Sequence, residues 1–298
     1  MGSRFRVLFI LGAFLATCSP SYAQLINPPA GPHDGLFLVV INEKYGYIDC
    51  HGKVVIDPQF EEASDFSDGL AAVKLRGKWG YINPSGSFVI EPTLEEIQGW
   101  HFANGLACAV DQRKTGFIDK TGRMVIAPQY DAPTYFSEGY AYVQWKDDSG
   151  YIGTDGKLIW KGQGRPFSEG LAAVETDVGW GFINPSGRFA ITPRYDSASS
   201  FSNGLAAVYR NEKWGYIDKE GKVQVPILFD DALDFSEGLA AVRIFGKVGF
   251  IDKTGAITIP AVFDEARPFS EGLAEVKVGE QWSYIDRAGR VIWRGIRP

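Results

Sequence analysis

The segment Phe66-Ser67-Asp68-Gly69-Leu70-Ala71-Ala72-Val73 decides the fold, because close variants of it return down the chain, as in Phe201-Ser202-Asn203-Gly204-Leu205-Ala206-Ala207-Val208. Its glycine marks eight positions: Gly35, Gly69, Gly105, Gly139, Gly170, Gly204, Gly238 and Gly272. The spacings are 34, 36, 34, 31, 34, 34 and 34 residues. Self-similarity at such a period is the mark of an array of small structural repeats. Eleven residues after the marker stands a second glycine, Gly46, Gly80, Gly116, Gly150, Gly181, Gly215 or Gly249, with Ser283 in its place in the eighth repeat. Two columns sharing one register exclude chance similarity.

Each repeat reads as three short strands. In the second they are Leu70-Ala71-Ala72-Val73-Lys74-Leu75, Trp79-Gly80-Tyr81-Ile82 and Phe88-Val89-Ile90, short apolar runs rich in β-branched and aromatic residues and bounded by Gly, Pro and Asx. The second and third strands are joined by turns such as Asn83-Pro84-Ser85-Gly86 and Asp119-Lys120-Thr121-Gly122. Asx bonds its own backbone, Pro presets φ, and Gly supplies a left-handed residue, so these read as hairpin turns with a bulge. One Asx per loop is too few oxygens for a calcium site. The third strand runs into Pro and an aromatic, as in Pro58-Gln59-Phe60 and Pro193-Arg194-Tyr195. Proline cannot donate to a ladder, so pairing is expected to stop there, with the aromatic tucked under an acidic, Ala-containing link. The Phe repeated before the later seven markers is the expected plug between neighbours.

No sustained helical periodicity follows the N-terminal stretch, so the fold class is all-β: eight three-stranded β-meander repeats over 35–298. Three strands per period of about 34 residues, against propeller blades of about 40–45 residues with four strands, favour an open, twisted β solenoid. The array also begins at a first strand and ends after a third, without the split blade that locks a ring. A closed, propeller-like ring is the alternative. Lys157-Leu158-Ile159-Trp160-Lys161-Gly162 matches Arg290-Val291-Ile292-Trp293-Arg294-Gly295, and both replace the Pro-aromatic ending. That divides the array into two groups of four, 35–165 and 166–298.

Ahead of the repeats, Arg4 and Arg6 precede the apolar run from Val7 to Ala16, and Ser21-Tyr22-Ala23 follows. This is the layout of a secretory signal peptide over 1–23, followed by a Pro/Gly-rich lead-in over 24–34. The apolar run is half of the ~20 residues that a membrane-spanning helix needs, so no integral membrane span is expected. Leu15-Ala16-Thr17-Cys18 resembles a lipobox and offers an alternative, lipidation at Cys18. The protein is thus expected to be exported, periplasmic or extracellular. Its formal net charge is −6, and removal of a leader bearing two arginines and no acid leaves −8. An acidic chain is a poor partner for nucleic acid or anionic lipid. Beyond the leader only Cys50, in a turn, and Cys108, at a buried-strand position, remain, which is no disulfide framework.

The segments Lys78-Trp79-Gly80-Tyr81-Ile82 and Lys213-Trp214-Gly215-Tyr216-Ile217-Asp218, with the Gly turn and Pro-aromatic pair after them, resemble the WG (Trp-Gly) repeat family of mostly bacterial proteins. The resemblance covers the chain from Gly35 onward. It implies β repeats, often exported, with no catalytic activity attached to the repeat. The Trp column reads Tyr45, Trp79, Thr115, Ser149, Trp180, Trp214, Val248 and Trp282. Because Thr and Ser share it, this column is expected to be half exposed. The stricter glycine column marks close backbone approach, with an aromatic lying across it as the expected partner.

His33, His51 and His101 are the histidines present, and nucleophile-elbow, zincin, P-loop and Cys-x-x-Cys motifs are absent from the sequence. Neither a cofactor nor a metal is expected. The acidic pairs Glu61/Glu62, Glu95/Glu96 and Asp230/Asp231 could serve glycoside cleavage, yet they recur at one linker position in successive repeats, as do Asp131, Asp196 and Asp264. A glycan-active enzyme is therefore the remote alternative. The leading expectation is a non-catalytic binding module for a protein or glycan, with Trp79, Trp180, Trp214 and Trp282 as contact candidates. Its rival makes the array a structural spacer of the cell envelope. The two-residue expansion Gln98-Gly99-Trp100-His101-Phe102 breaks the period and adds Trp100 and His101 to the candidates.

Overall fold

A computed structural model describes residues 35–94, 101–111, 113–132 and 134–296. The signal peptide, the Cys18 lipidation position, His33 and Trp100 lie outside the described residues. The chain divides into two compact units, Met1–Gly139 with Val143–Asp147 and Thr154–Lys157, and Tyr140–Tyr142 with Asp148–Gly153 and Leu158–Pro298. The described residues are all-β, without a helix, and form antiparallel sheets of three or four strands, one per repeat.

The sheets depart from the expected meander by one strand. In the second repeat Glu62–Ala63 pairs with Ala71–Leu75, which pairs with Lys78–Ile82 and then with Phe88–Leu94. The acidic, Ala-containing link is thus a two-residue leading strand, and Ser197–Ala198, Asp231–Ala232 and Glu265–Ala266 repeat it. Two residues are too short a run to show periodicity, and an acidic residue beside Ala carries no β propensity. Five of the eight sheets of the described residues have four strands, which removes the strand-count argument against the ring alternative.

Pairing also continues past the proline. Tyr45 faces Phe60 and Tyr47 faces Ile56, so Asp57, Pro58 and Gln59 together oppose the single residue Gly46. Five other repeats share this bulge, as where Trp79 faces Leu94 and Tyr81 faces Ile90. Pro58 sits inside the bulge, where the ladder asks for no N–H, so proline is compatible with a strand that resumes at Phe60.

The bulge explains the strict glycine column. A Cβ on Gly46 or Gly80 would lie 2.6 Å from the carbonyl oxygen of Ile56 or Ile90, and the prolyl nitrogen lies within 2.8 Å. The close approach is therefore made by the bulged third-strand backbone, rather than by the aromatic ring that the sequence led us to expect. The fourth and eighth repeats lack the Pro-aromatic ending and lack this three-residue bulge: Gly150 faces Lys161, and Ser283 faces Arg294, with the single residue Gly295 bulged after it. Where the bulge is gone, a side chain fits in the eighth repeat.

Repeats are joined by ring pairs. The aromatic after the second glycine is fully buried and meets the Phe of the next phrase: Tyr47 with Phe66 at 4.8 Å, Tyr81 with Phe102 and Phe182 with Phe201 at 4.9 Å, and Tyr216 with Phe235 at 4.7 Å between centroids. One such cluster holds Tyr47, Ile56, Phe60, Phe66, Val73 and Ile82, side chains from two successive repeats. The repeated Phe is the plug, because a single repeat has too little apolar area to bury its own face.

Hydrogen bonds follow the same period. Ser67 Oγ donates to the Phe102 carbonyl at 2.8 Å, and Ser168, Ser202 and Ser236 donate to Phe201, Phe235 and Phe269 at 2.7 Å. Asp68, Asn104, Glu169, Asn203 and Glu237, each just before a marker, accept from the next marker's N–H, as Asp68 does from Gly105 at 2.7 Å and Asn203 from Gly238 at 3.0 Å. These residues hold φ near +54° beside a left-handed glycine, which makes the tight two-residue turn of the phrase.

Candidate functional site

The four candidate tryptophans occupy equivalent second-strand positions, each paired with a first-strand residue and a third-strand residue. Trp79 stands between Lys74 and Leu94, Trp180 between Glu175 and Tyr195, Trp214 between Tyr209 and Phe229, and Trp282 between Lys277 and Ile296. The column divides: Trp180, Trp214 and Trp282 are half-buried, as its composition led us to expect, whereas Trp79 is 5% exposed. Thr115 and Ser149 are buried in the same column, the latter donating to the Gly162 carbonyl at 3.1 Å.

Groups of the chain itself stand against these rings. The Lys74 ammonium stands 5.6 Å from the Trp79 ring, Arg165 5.5 Å from Trp180, and Arg267 5.3 Å from Trp282. The Tyr209 ring lies 5.1 Å from that of Trp214. Several of these cations are braced in turn: Lys74 pairs with Glu62 at 2.7 Å, Arg267 with Glu275 at 2.8 Å, and Arg165 donates to the Ala198 carbonyl at 2.7 Å. Each contact is modest, and each places a cation or ring of the chain itself against one of the four tryptophans. His101 is exposed, as is His51 in its turn.

The recurrent carboxylates cap hairpins. Asp264 pairs with Lys247 at 2.6 Å and accepts from the Gly279 N–H of the next repeat at 2.8 Å. Asp131 likewise holds Lys114 and the Lys146 N–H, and Glu61 accepts from Gly77 at 2.9 Å. These partners hold the Asp131 and Asp264 carboxyls below the usual carboxylate range, the lysine hydrogen bond contributing most. Glu95 and Glu96 lie outside the described residues. In the Asx turns one oxygen already accepts twice, as Asp119 Oδ1 does from the N–H groups of Thr121 and Arg123 at 2.9 and 3.1 Å. Among the described residues no group of three His, Cys, Asp or Glu side chains is placed to hold a metal.

The residues that sequence reasoning missed are the tips of the first hairpin of each repeat. Asn42-Glu43, Arg76-Gly77, Asn211-Glu212 and Phe245-Gly246 all place two successive residues at positive φ, a type I′ geometry that favours Asn-Gly. Lys146-Asp147, Asp177-Val178 and Gly279-Glu280 stand at the same place in their repeats. The signal was available as the sequence seven and eight residues after each marker, which differs between repeats while the flanking strands hold their pattern.

The family described as "WG containing repeat" matches residues 45–79, 79–111, 116–148, 180–214, 214–247 and 249–282. No curated protein matches the chain. Among solved structures, the chain is similar to one titled as the eukaryotic initiation factor, with a TM-score of 0.55 at 12% identity over 93% of this chain and 90% of that one. AztD from Citrobacter koseri is similar at a TM-score of 0.41 and 13% identity, over 87% and 93% of the two chains. BamB from Moraxella catarrhalis gives 0.39 and 11%, over 91% and 88%. Likenesses at this identity concern the fold alone. The six matches together span more than half of the chain, and the protein therefore belongs to the WG repeat family.

Proposed function

We propose that this chain is an exported, non-catalytic binding module whose repeats present variable hairpin tips to a protein or glycan partner. The observation that carries the reading is the contrast between frame and tips. Glycine bulges, ring plugs and Ser-to-carbonyl bonds recur from repeat to repeat, while the tips carry Asn-Glu, Arg-Gly, Asp-Val or Phe-Gly. Recognition is commonly built on loops held by a rigid scaffold. The tryptophan column belongs to the frame in this reading, since cations and rings of the chain itself stand against it.

Export rests on the leader read over 1–23, with lipid anchoring at Cys18 as its variant; the mass of the mature N-terminus distinguishes them. The function is tested by screening the purified protein against cell-wall glycans and an envelope-protein extract. Binding that tip substitutions abolish, with folding intact, supports the module. A second reading, a stiff spacer of the envelope, is favoured by the bonds that run from each repeat to the next. It predicts that no partner is retained and that tip substitutions change nothing.

A further inference from the structure

Within the array, one face of each repeat receives the next. Between the second and third repeats, Trp79, Tyr81 and Ile90 of the receiving face pack with Phe102, Ala107 and Ile118 of the entering one. The eighth repeat presents the receiving face uncovered. Trp293 stands in the column of Ile90, Ile191 and Ile259, which are buried, and is itself 65% exposed. Leu273 and Tyr284 are half-buried, where Leu70 and Leu205 are buried and Tyr81 and Tyr216 are fully so. Ser270 Oγ is buried without a partner, although Ser168, Ser202 and Ser236 in its column donate to the Phe carbonyl of the following repeat.

This face is not a cap. A repeat that ends an array turns a polar side outward, and an exposed tryptophan is the opposite. The variant ending is not a stop signal either, because the fourth repeat carries the same one, Lys157-Leu158-Ile159-Trp160-Lys161-Gly162, and the fifth repeat packs on it. There Phe189 stands edge-on to Trp160 at 5.2 Å, and Phe167 lies 5.3 Å from the fully buried Tyr151. Glu275, in the column of Ala72, Ala173, Ala207 and Ala241, pairs with Arg267 at 2.8 Å and accepts from the Tyr284 hydroxyl at 3.1 Å. Covering the face therefore leaves that carboxylate with its partners.

The mate such a face takes is the entering face of another repeat, and the first repeat holds one open. Val39 and Ile48 are half-buried there, where Val73, Val174, Ile82 and Ile183 are fully buried at inner boundaries. Val54 holds the place of Phe189, the residue that meets Trp160, and is 38% exposed. One chain thus shows both a receiving and an entering face uncovered, and a second copy supplies the mate of each. We propose that the eighth repeat of one chain docks the first repeat of a second copy, Trp293 against Val54, continuing the contact that joins repeats four and five. A head-to-tail contact of this kind closes a ring of chains or extends into a filament. It goes beyond the binding-module reading and is independent of what the hairpin tips hold.

The test is the mass of the purified protein in solution, read by light scattering over a wide concentration range, with Trp293→Glu and Val54→Glu beside it. Both substituted residues are exposed, so both variants should keep the circular dichroism and melting temperature of the wild type. The wild type is expected to rise with concentration to two chains or more, and each variant to associate at least about tenfold more weakly. An equimolar mixture of the variants should restore a species of two chains and none larger, since one intact eighth repeat meets one intact first repeat. A wild type that stays a single chain throughout overturns the proposal, and if Trp293→Glu then lowers the melting temperature, the chain's own residues cover the face instead. Association that either variant leaves unchanged, or that the mixture fails to restore, also overturns it, in favour of another surface.

Discussion

The carbonyl oxygen of Ile90 lies 2.6 Å from where a Cβ on Gly80 would stand, and this approach links the two sequence features that define the repeat. The bulged third strand folds its backbone over the second, and only a residue without a side chain leaves room. Glycine and the Pro-aromatic ending are two sides of one contact, and in the eighth repeat Ser283 appears where that ending is missing. Gly80→Ala is accordingly expected to cost about 3 kcal/mol, since the clash is with backbone that cannot step aside. Ser283→Gly should change stability by less than about 1 kcal/mol. Urea unfolding of both variants checks the contrast.

The ring plug predicts a second pair of outcomes. Phe235 is buried against Tyr216 across the boundary between repeats six and seven, and Phe235→Ala should cost about 3–5 kcal/mol. Ser202→Ala removes one hydrogen bond to the Phe235 carbonyl and should cost only about 1 kcal/mol. Ala103 already occupies the equivalent position in the third repeat. Thermal melts of the two variants, ranked against wild type, test the ordering.

Acid should unfold the array through its Asx turns. Backbone and neighbouring side-chain hydrogen bonds hold the Asp49, Asp119, Asp252 and Asp286 carboxyls below their ordinary value of 3.8. A depressed folded pKa gives stability that is complete above the unfolded value and is lost as pH falls through the folded one. Stability is therefore expected to be flat above about pH 5 and to fall below about pH 4. Changing these four residues to Asn, which Asn83 and Asn184 already are in two repeats, should flatten the acid limb. Circular dichroism followed from pH 6 to pH 2 reads this directly.

Tyr216→Phe provides a further check. The buried hydroxyl donates to the Leu233 carbonyl at 2.7 Å, and burial, with Asp234 and Asp231 adding to it, pushes the phenol up. Removing the donor should cost about 1 kcal/mol and leave the protein folded, as Phe117, Phe182 and Phe250 stand at the same position. Equilibrium unfolding measures it.

Most of the fold was legible from columns. The two glycines, the Asx turns and the repeated Phe each carried a physical reason that one chain shows seven or eight times over. The leading strand was not legible, because Glu62-Ala63 is two residues long and its pairing with Val73 and Lys74 depends on how the phrase turn folds the link back. The continuation past Pro58 was also hidden: the rule that proline ends a ladder holds for regular pairing, and the bulge supplies the exception. The exposure of the tryptophan column was legible in half of the repeats: Tyr45, Trp180, Trp214 and Trp282 are half-buried, whereas Trp79, Thr115, Ser149 and Val248 are buried, so that Thr and Ser in a column do not by themselves mark an open position. The site, unlike the frame, lies in residues that differ between repeats, and periodicity is blind to those.

Equilibrium unfolding of Trp79→Ala, combined with its binding to whatever the wild-type protein retains from the envelope extract, tests most directly whether the tryptophan column is frame. Frame predicts a loss of about 3–5 kcal/mol, with the folded fraction binding as tightly as wild type. Unchanged stability with binding abolished would contradict it and return the tryptophans to the recognition surface.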